Sequence, residues 1–305
     1  MSRTATRDVH GILLLDKARG PSSNRALQQV RQLFGATRAG HTGSLDPLAS
    51  GLLPICLGEA TKIAGLLLGA RKAYAAEIRL GLTTTTDDAE GDGLVERAVP
   101  ALQLDAVRAT AATFVGRIRQ VPPVYAAIKR GGVPLYRRAR RGEAVAAPPR
   151  EVEIHALQID ACDGGRITLQ VECGSGTYIR SLARDLGERL GCGGHLTALR
   201  RLWVAPFRTP AMRTFEELVE LRERAGETGL DACLLPLEAG LADWPRVVLG
   251  AAEAIALGNG LRVTAPSGLR PGPCLALEAG GRPLALAEVD ADGRLHTRRG
   301  FHWSG

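Results

Sequence analysis

Lysine is nearly absent from this chain. Four lysines (Lys17, Lys62, Lys72, Lys129) stand among 39 basic residues, and the rest are arginine. The chain also lacks long apolar runs. Runs such as Ile12–Leu15 and Ala64–Ala70 fall far short of the roughly 20 residues a membrane helix needs. The polar start MSRTATRDVH holds no signal-like stretch, so a cytoplasmic protein that engages no membrane is expected. Cysteines are few and scattered: Cys56, Cys162, Cys173, Cys192, Cys233 and Cys274 form no CxxC pair. That excludes a zinc ribbon and a disulfide framework, and the one short spacing, Cys192 to His195, is too slight to hold a metal. Reduced thiols and no metal are expected. Internal repeats and low-complexity tracts are missing as well.

What is present is an ordinary globular composition, 45% hydrophobic and 23% charged over 305 residues. This length suits one large domain or a large one with a small companion. The net charge of +7 is compatible with a polyanionic partner, since guanidinium forks grip phosphate bidentately. An arginine-rich, lysine-poor composition also follows from a GC-rich genome, so position has to decide. From Gly116 to Gly142 there are eight basic residues, Arg117, Arg119, Lys129, Arg130, Arg137, Arg138, Arg140 and Arg141, and no acid, with Tyr125 and Tyr136 interleaved. Such a stretch is either a solvated surface loop or a mobile arm that follows a phosphate backbone.

The pattern along the chain predicts a buried strand at Gly11–Leu15. A helix follows, capped near Ser22–Asn24, carrying Leu27, Val30, Leu33 and Phe34 on one face and stopping at Gly35. Residues 40–51, GHTGSLDPLASG, read as a loop. Next come a core segment at Leu52–Leu57, a helix near Ala60–Leu68, and an alternating strand Lys72–Leu80 with Tyr74 pointing inward. Strands are predicted at Glu151–Asp160 and Ile167–Cys173. A helix then runs from the Gly174-Ser175-Gly176 turn to Gly191–Gly194, placing Arg180 and Arg184 one turn apart near its positive end. A further helix at Thr214–Arg224 precedes Pro-punctuated sequence to about Pro245. The last stretch reads as a helix (Gly250–Leu257) and hairpins at Gly280-Gly281 and Asp290–Gly293.

Asp46, flanked by Gly43 and Pro47 in a loop that also holds His41, is a candidate nucleophile or general base. It is equally an ordinary turn former before proline. Arg180 is either the partner of a buried carboxylate or part of a solvated helix face. One Asp and one Arg, without a Ser/His or second-carboxylate companion, suit chemistry at a carbon centre that needs no metal and no redox cofactor. A retaining or inverting glycosidase would want a second catalytic carboxylate, and none stands at motif spacing.

Taken together, GILLLDKARGPSSN, RAGHTGSLDPLASGLLPICLGEATK, KAYAAEIRLG and CGSGTYIRSLARDLGERLGCGGHLTALRR resemble the bacterial tRNA pseudouridine synthase B family in order, spacing and identity over residues 11–205. Two departures from the family pattern are Ala18, where proline is usual, and Thr85, where aspartate is usual. The resemblance implies an α+β fold: a catalytic domain over 1–246, with a central mixed, mainly antiparallel sheet flanked by helices, and a small β-rich PUA-like RNA-binding barrel over 247–305. A basic RNA-gripping arm would span about 116–150.

The resemblance further implies isomerisation of uridine-55 in the tRNA T-loop to pseudouridine, without cofactor, by a monomer whose partner is the T-arm and elbow of tRNA. A tRNA-folding activity is possible in addition. By the same resemblance Asp46 is the catalytic aspartate, Arg180 its partner and Tyr74 the residue packed on the base. Tyr178 and Leu199 are other pocket residues, and His41 enters the RNA when the base turns out. Lys17, Lys62 and the arm (Lys129, Arg130, Arg137, Arg138, Arg140, Arg141) would hold phosphates. A carboxylate in this position either attacks a carbon of the nucleotide or removes a sugar proton.

Overall fold

The computed structural model describes residues 6–125, 129–130, 133–134, 141 and 147–303. Alternating apolar segments build one large sheet from β1 (Gly11–Lys17), β2 (Ala39–His41), β3 (Ala49–Leu57), β4 (Lys72–Leu80), β7 (Gly116–Gln120), β10 (Arg150–Asp163), β11 (Arg166–Cys173) and β12 (Gly194–Val204). Its order is β1-β3-β12-β4-β11-β10-β7, with β2 pairing β3. Among the described strands of this sheet, only β12 with β3 is parallel. Short hairpins are formed by β5 (Leu82–Thr84) with β6 (Gly93–Glu96) and by β8 (Lys129–Arg130) with β9 (Val133–Pro134).

Helices α1 (Ser23–Phe34), α3 (Leu104–Ala112), α4 (Ile179–Arg189) and α5 (Phe215–Asp231) bury Val30, Phe34, Val107, Leu182, Leu186 and Leu218 in one cluster with Leu13, Leu53, Ile78 and Leu169 of the sheet. Ser22 caps α1 by accepting from the Arg25 N–H, and Gly35 ends it at φ 62°, a conformation glycine adopts without a Cβ clash. A Thr214–Glu217 capping box starts α5, which runs past the expected Arg224 across a break at Gly226.

The opening apolar run is continuous because β1 is covered on both faces, as strands buried on two sides are. Leu13 and Leu15 meet the helices. Ile12 and Leu14 belong to a second cluster with Leu52, Cys56 and Ile63, and that cluster also takes in Leu275, Leu277, Leu286 and Phe301 of the C-terminal unit. This unit is a five-stranded sheet in the order β13-β15-β16-β17-β14: β13 (Arg246–Leu249), β15 (Gly272–Glu278), β16 (Pro283–Val289), β17 (Arg294–Gly300) and β14 (Val263–Thr264), with α6 (Ala251–Gly258) packed on it. The two units expected from the sequence therefore share a core.

Three local expectations need correction. Residues 40–51 are not all loop: Gly40–His41 pair with Cys56 and Ile55 of β3, and Ala49–Gly51 pair with Leu199–Arg201 of β12. The helix expected at Ala60–Leu68 is split into a 3-10 turn, Gly58–Lys62, and α2 (Ala64–Leu68). Arg117 and Arg119 sit in β7, an edge strand of the main sheet, and not in a mobile arm. Strand β12, inserted between β3 and β4, and helix α3 are found in addition.

The 3-10 turn is held by the C-terminal unit. The buried Glu59 carboxylate accepts from Lys62 Nζ at 2.5 Å, from the His302 backbone N–H at 2.8 Å and from Arg38, while Lys62 also donates to the Gly300 carbonyl at 2.7 Å. Burial opposes the charge on Glu59, but Lys62, the His302 N–H and Arg38 outweigh it and hold the carboxyl below its ordinary value of 4.5. A depressed carboxyl stabilises the folded state above its unfolded pKa, and that contribution is lost as pH falls through the folded one. Glu59→Gln is expected to lower the unfolding free energy by about 2 kcal/mol at pH 7. In urea titrations the gap from wild type should close as pH drops below 4.5; a gap that persists there would refute the assignment.

Candidate active site

The loop between β2 and β3 carries Asp46 and is held on every side. Lys17 Nζ donates to the carbonyls of Ala49 (2.7 Å), Ala18 (2.9 Å) and Asp46 (3.4 Å). Ser23 Oγ donates to the Leu45 carbonyl at 2.8 Å and accepts from the Leu45 N–H at 2.7 Å. Leu45 and Leu48 are buried beneath. Arg201 Nη2 reaches the Gly43 carbonyl at 3.0 Å and its Nε the Leu52 carbonyl at 2.6 Å. The Asp46 side chain is left 43% exposed, a carboxylate presented on a fixed platform.

Facing it is Arg180, in the first turn of α4. Its side chain is 5% exposed, and its Nη2 lies 3.0 Å from Asp46 Oδ2. Its Nη1 lies 3.4 Å from Asp88 Oδ2 and donates to the Thr86 carbonyl at 3.1 Å. One turn along the helix, Arg184 Nη1 meets Asp87 Oδ2 at 2.7 Å. Two consecutive aspartates thus take the two arginines of one helix face, as i and i+4 side chains allow. Burial pushes the Asp87 carboxyl up, against the pull of Arg184 and Arg180. Reasoning from the sequence misses Asp87 and Asp88. The one signal for them is their place in the Gly-ended, acid-rich TTTTDDAEGD segment of the β5–β6 hairpin.

Between these groups opens a cavity of about 290 Å³, lined by Asp46, Arg180, Tyr74, Tyr178, Leu199 and Lys72 among others. Tyr74 projects from β4 and is buried, which pushes its phenol pKa up. Leu199 of β12 sits opposite Ala76 of β4 and Ala49 of β3, at the seam where the loop returns to the sheet. Tyr178 precedes α4, and the fully buried Gln120 fixes its backbone, accepting from its N–H at 2.8 Å and donating to its carbonyl at 3.0 Å. The Arg150 guanidinium lies 4.6 Å over the Tyr178 ring, a cation–π distance. Lys72 is also buried, with Nζ on the carbonyls of Ala70 (2.7 Å) and Leu68 (3.0 Å), and burial first and Arg201 second bring its pKa to about 8. An aromatic and aliphatic slot with one carboxylate–guanidinium pair at its side suits a flat heterocycle.

The structure therefore brings Asp46, Arg180, Tyr74, Tyr178 and Leu199 into one cavity. His41 ends β2 half-buried; burial and the charge of Arg201 lower its pKa, so the imidazole is neutral at pH 7. The phosphate-holding role expected of Lys17 and Lys62 gives way to an internal one. Lys17 is buried, spends its donors on the Asp46 loop, and has its pKa lowered to about 8, chiefly by burial. Lys62 is committed to Glu59 and Gly300. Of the arm, Arg137, Arg138 and Arg140 and the side chains of Lys129 and Arg130 lie outside the described residues, and Arg141 is exposed. All six cysteines are free thiols. Among the described residues no helix is long and apolar enough to cross a membrane.

Residues 31–179 match the family model described as TruB family pseudouridylate synthase (N terminal domain). Residues 180–242 match that of the tRNA pseudouridylate synthase B C-terminal domain. The tRNA pseudouridine synthase B of Xanthomonas campestris pv. campestris (strain 8004) is 56% identical over 302 residues, 98% of this chain and 96% of its own. That of Xylella fastidiosa (strain Temecula1) is 53% identical over 304 residues, 99% of each chain. Among solved structures, a crystal structure of a Cbf5-Nop10-Gar1 complex superposes with a TM-score of 0.71 at 26% identity, covering 92% of this chain and 78% of that one. A box H/ACA Nop10-Cbf5 complex gives 0.72 at 23%, over 97% and 87%, a likeness of fold. The loop bearing Asp46, the strand bearing Tyr74 and the first turns of the helix bearing Arg180 all lie within stretches matched by these models and relatives, and the chain belongs to the tRNA pseudouridine synthase B family of tRNA-modifying isomerases.

Proposed function

We propose that the chain converts uridine-55 of the tRNA T-loop to pseudouridine, with Asp46 as the reacting carboxylate. The observation that carries this reading is the 3.0 Å pair between Asp46 and the buried Arg180 beside a cavity walled by Tyr74, Tyr178 and Leu199. The uracil is detached from C1′ of its ribose, turned, and rejoined through C5. Every atom is kept, so the isomerisation draws on no cofactor. A stacked uridine cannot reach Asp46, so the nucleotide is first turned out of the RNA, and its uracil packs against Tyr74. His41, from the same loop and neutral at pH 7, fills the vacated stack. Attack on a nucleotide carbon and removal of a sugar proton both use the Asp46 carboxylate, which Arg180 Nη2 meets at 3.0 Å. The β-rich C-terminal unit acts as a PUA-like RNA-binding module, and the basic stretch around residues 129–141 follows the phosphate backbone of the T-arm and elbow.

The test is an unmodified tRNA transcript incubated with the purified chain and no added cofactor, followed by mapping of the modified nucleotide. One pseudouridine at position 55 is expected. Modification at another position, or none, would overturn the reading.

A further inference from the structure

We propose that Arg201 is a positioning residue for the reaction: its guanidinium ties the Asp46 loop at Gly43 to β3 at Leu52, from a strand whose backbone pairs with that of Tyr74, setting carboxylate and aromatic wall in a fixed relation across the cavity. This rests on the reading that Asp46 carries the chemistry.

Arg201 lies on β12, the strand between β3 and β4. Its backbone pairs with Gly51 on one side and Tyr74 on the other. A Cβ at Gly51 would stand 2.2 Å from the Arg201 carbonyl oxygen, so β3 approaches this residue closely enough to require glycine. The side chain is 1% exposed, among the largest fully buried ones in the protein. Its hydrogen-bond partners among the described residues are two backbone carbonyls, Gly43 before Asp46 and Leu52 after it, and its own backbone is in register with Tyr74. No carboxylate among the described residues neutralises it.

A buried guanidinium bound only to neutral acceptors is unfavourable, and an apolar side chain of similar volume would suit a core strand better. Local rules are broken in this way where geometry for function is being held. Arginine is also the side chain that can hold two separated backbone carbonyls at once, because its donors lie in a rigid planar fork. The charge is felt across the site. Beside the burial that dominates each shift, Arg201 adds a downward push on the pKa of His41, Lys72 and Tyr74, and it does the same to Lys17 after the opposing pull of Asp46. The cation that grips the loop thus sits at the centre of the cavity's titratable groups.

The test compares Arg201→Met and Arg201→Lys with the wild type, all as full chains on the same unmodified tRNA transcript. The temperature is one at which circular dichroism shows each fully folded. Misplacing a reacting group by about an ångström costs on the order of 100-fold in rate. Arg201→Met is therefore expected to lose about 100-fold in kcat with KM within about threefold. Arg201→Lys, whose ammonium can keep one of the two carbonyl contacts, is expected to fall between. A folded Arg201→Met with kcat within threefold of wild type would overturn the proposal, and so would a loss carried entirely by KM. An inactive wild type would instead count against the proposed reaction itself.

Discussion

Asp46→Asn is expected to abolish pseudouridine formation, by about 10³-fold or more in single turnover, while tRNA affinity stays within about threefold. A factor of 10³ is about 4 kcal/mol of transition-state stabilisation, within what is lost when a reacting group goes and binding remains. Asparagine keeps the shape of the side chain, and the loop does not depend on the carboxylate. Lys17, Ser23 and Arg201 hold it through the backbone of Asp46, Ala49, Leu45, Gly43 and Leu52. Arg180 retains Asp88 and the Thr86 carbonyl. The change thus removes a charge and a nucleophilic oxygen with little else, and neither route open to the carboxylate survives. Release of label from C5 of uridine in a transcript, alongside filter binding, makes the measurement. Turnover within tenfold of wild type would remove Asp46 from the chemistry.

Arg180→Met is expected to damage activity and fold together. Arg180 is buried and serves two carboxylates, Asp46 on the cavity side and Asp88 inside. Asp88 is itself buried; Thr86 and the Glu90 N–H occupy its Oδ1, and Arg180 faces its Oδ2. Taking away the cation leaves a carboxylate without its charge partner in a low-dielectric setting, at a cost of about 3–5 kcal/mol. Asp46 loses the group that orients it, for a further rate loss of roughly 10²-fold. Urea titration and single-turnover rates on the folded variant read the two effects separately. Arg180→Lys keeps the charge but not the fork, and is expected to regain more stability than rate. If Arg180→Met stays within 1 kcal/mol of wild type and turns over normally, the pair does not organise the site.

Both predictions concern residues that the sequence alone singles out. Asp46 lies in a Gly- and Pro-rich block too irregular for a regular helix, and Arg180 follows a glycine turn that begins one. Family resemblance is what links them across the chain, since spacing along the backbone has no bearing on which loop faces which helix. Asp88 escapes a reading of the sequence because a run of threonines and acids reads as solvated until a helix lays arginines against it. Lys17 and Lys62 are expected to face phosphate by family resemblance; their burial depends on the loop after β1, on β3 and on the C-terminal unit, which bring carbonyls to their ammonium groups.

The sequence by itself determined the local elements: the buried β1, the capped α1, the alternating β4 and β11, and the helix that opens at Gly174–Gly176. These rest on periodicity and capping, which act over a few residues. It also held the carboxylate and the guanidinium of the proposed chemistry as residue types in recognisable blocks. Only the tertiary structure decided that β12 lies between β3 and β4, that two units share a core, and that Arg201, unremarkable in a basic LRRL segment, lies buried between the Asp46 loop and Tyr74. Those are properties of long-range packing and desolvation. A side chain's charge is written in the sequence, but the water it loses and the partners it gains depend on what the rest of the chain places around it.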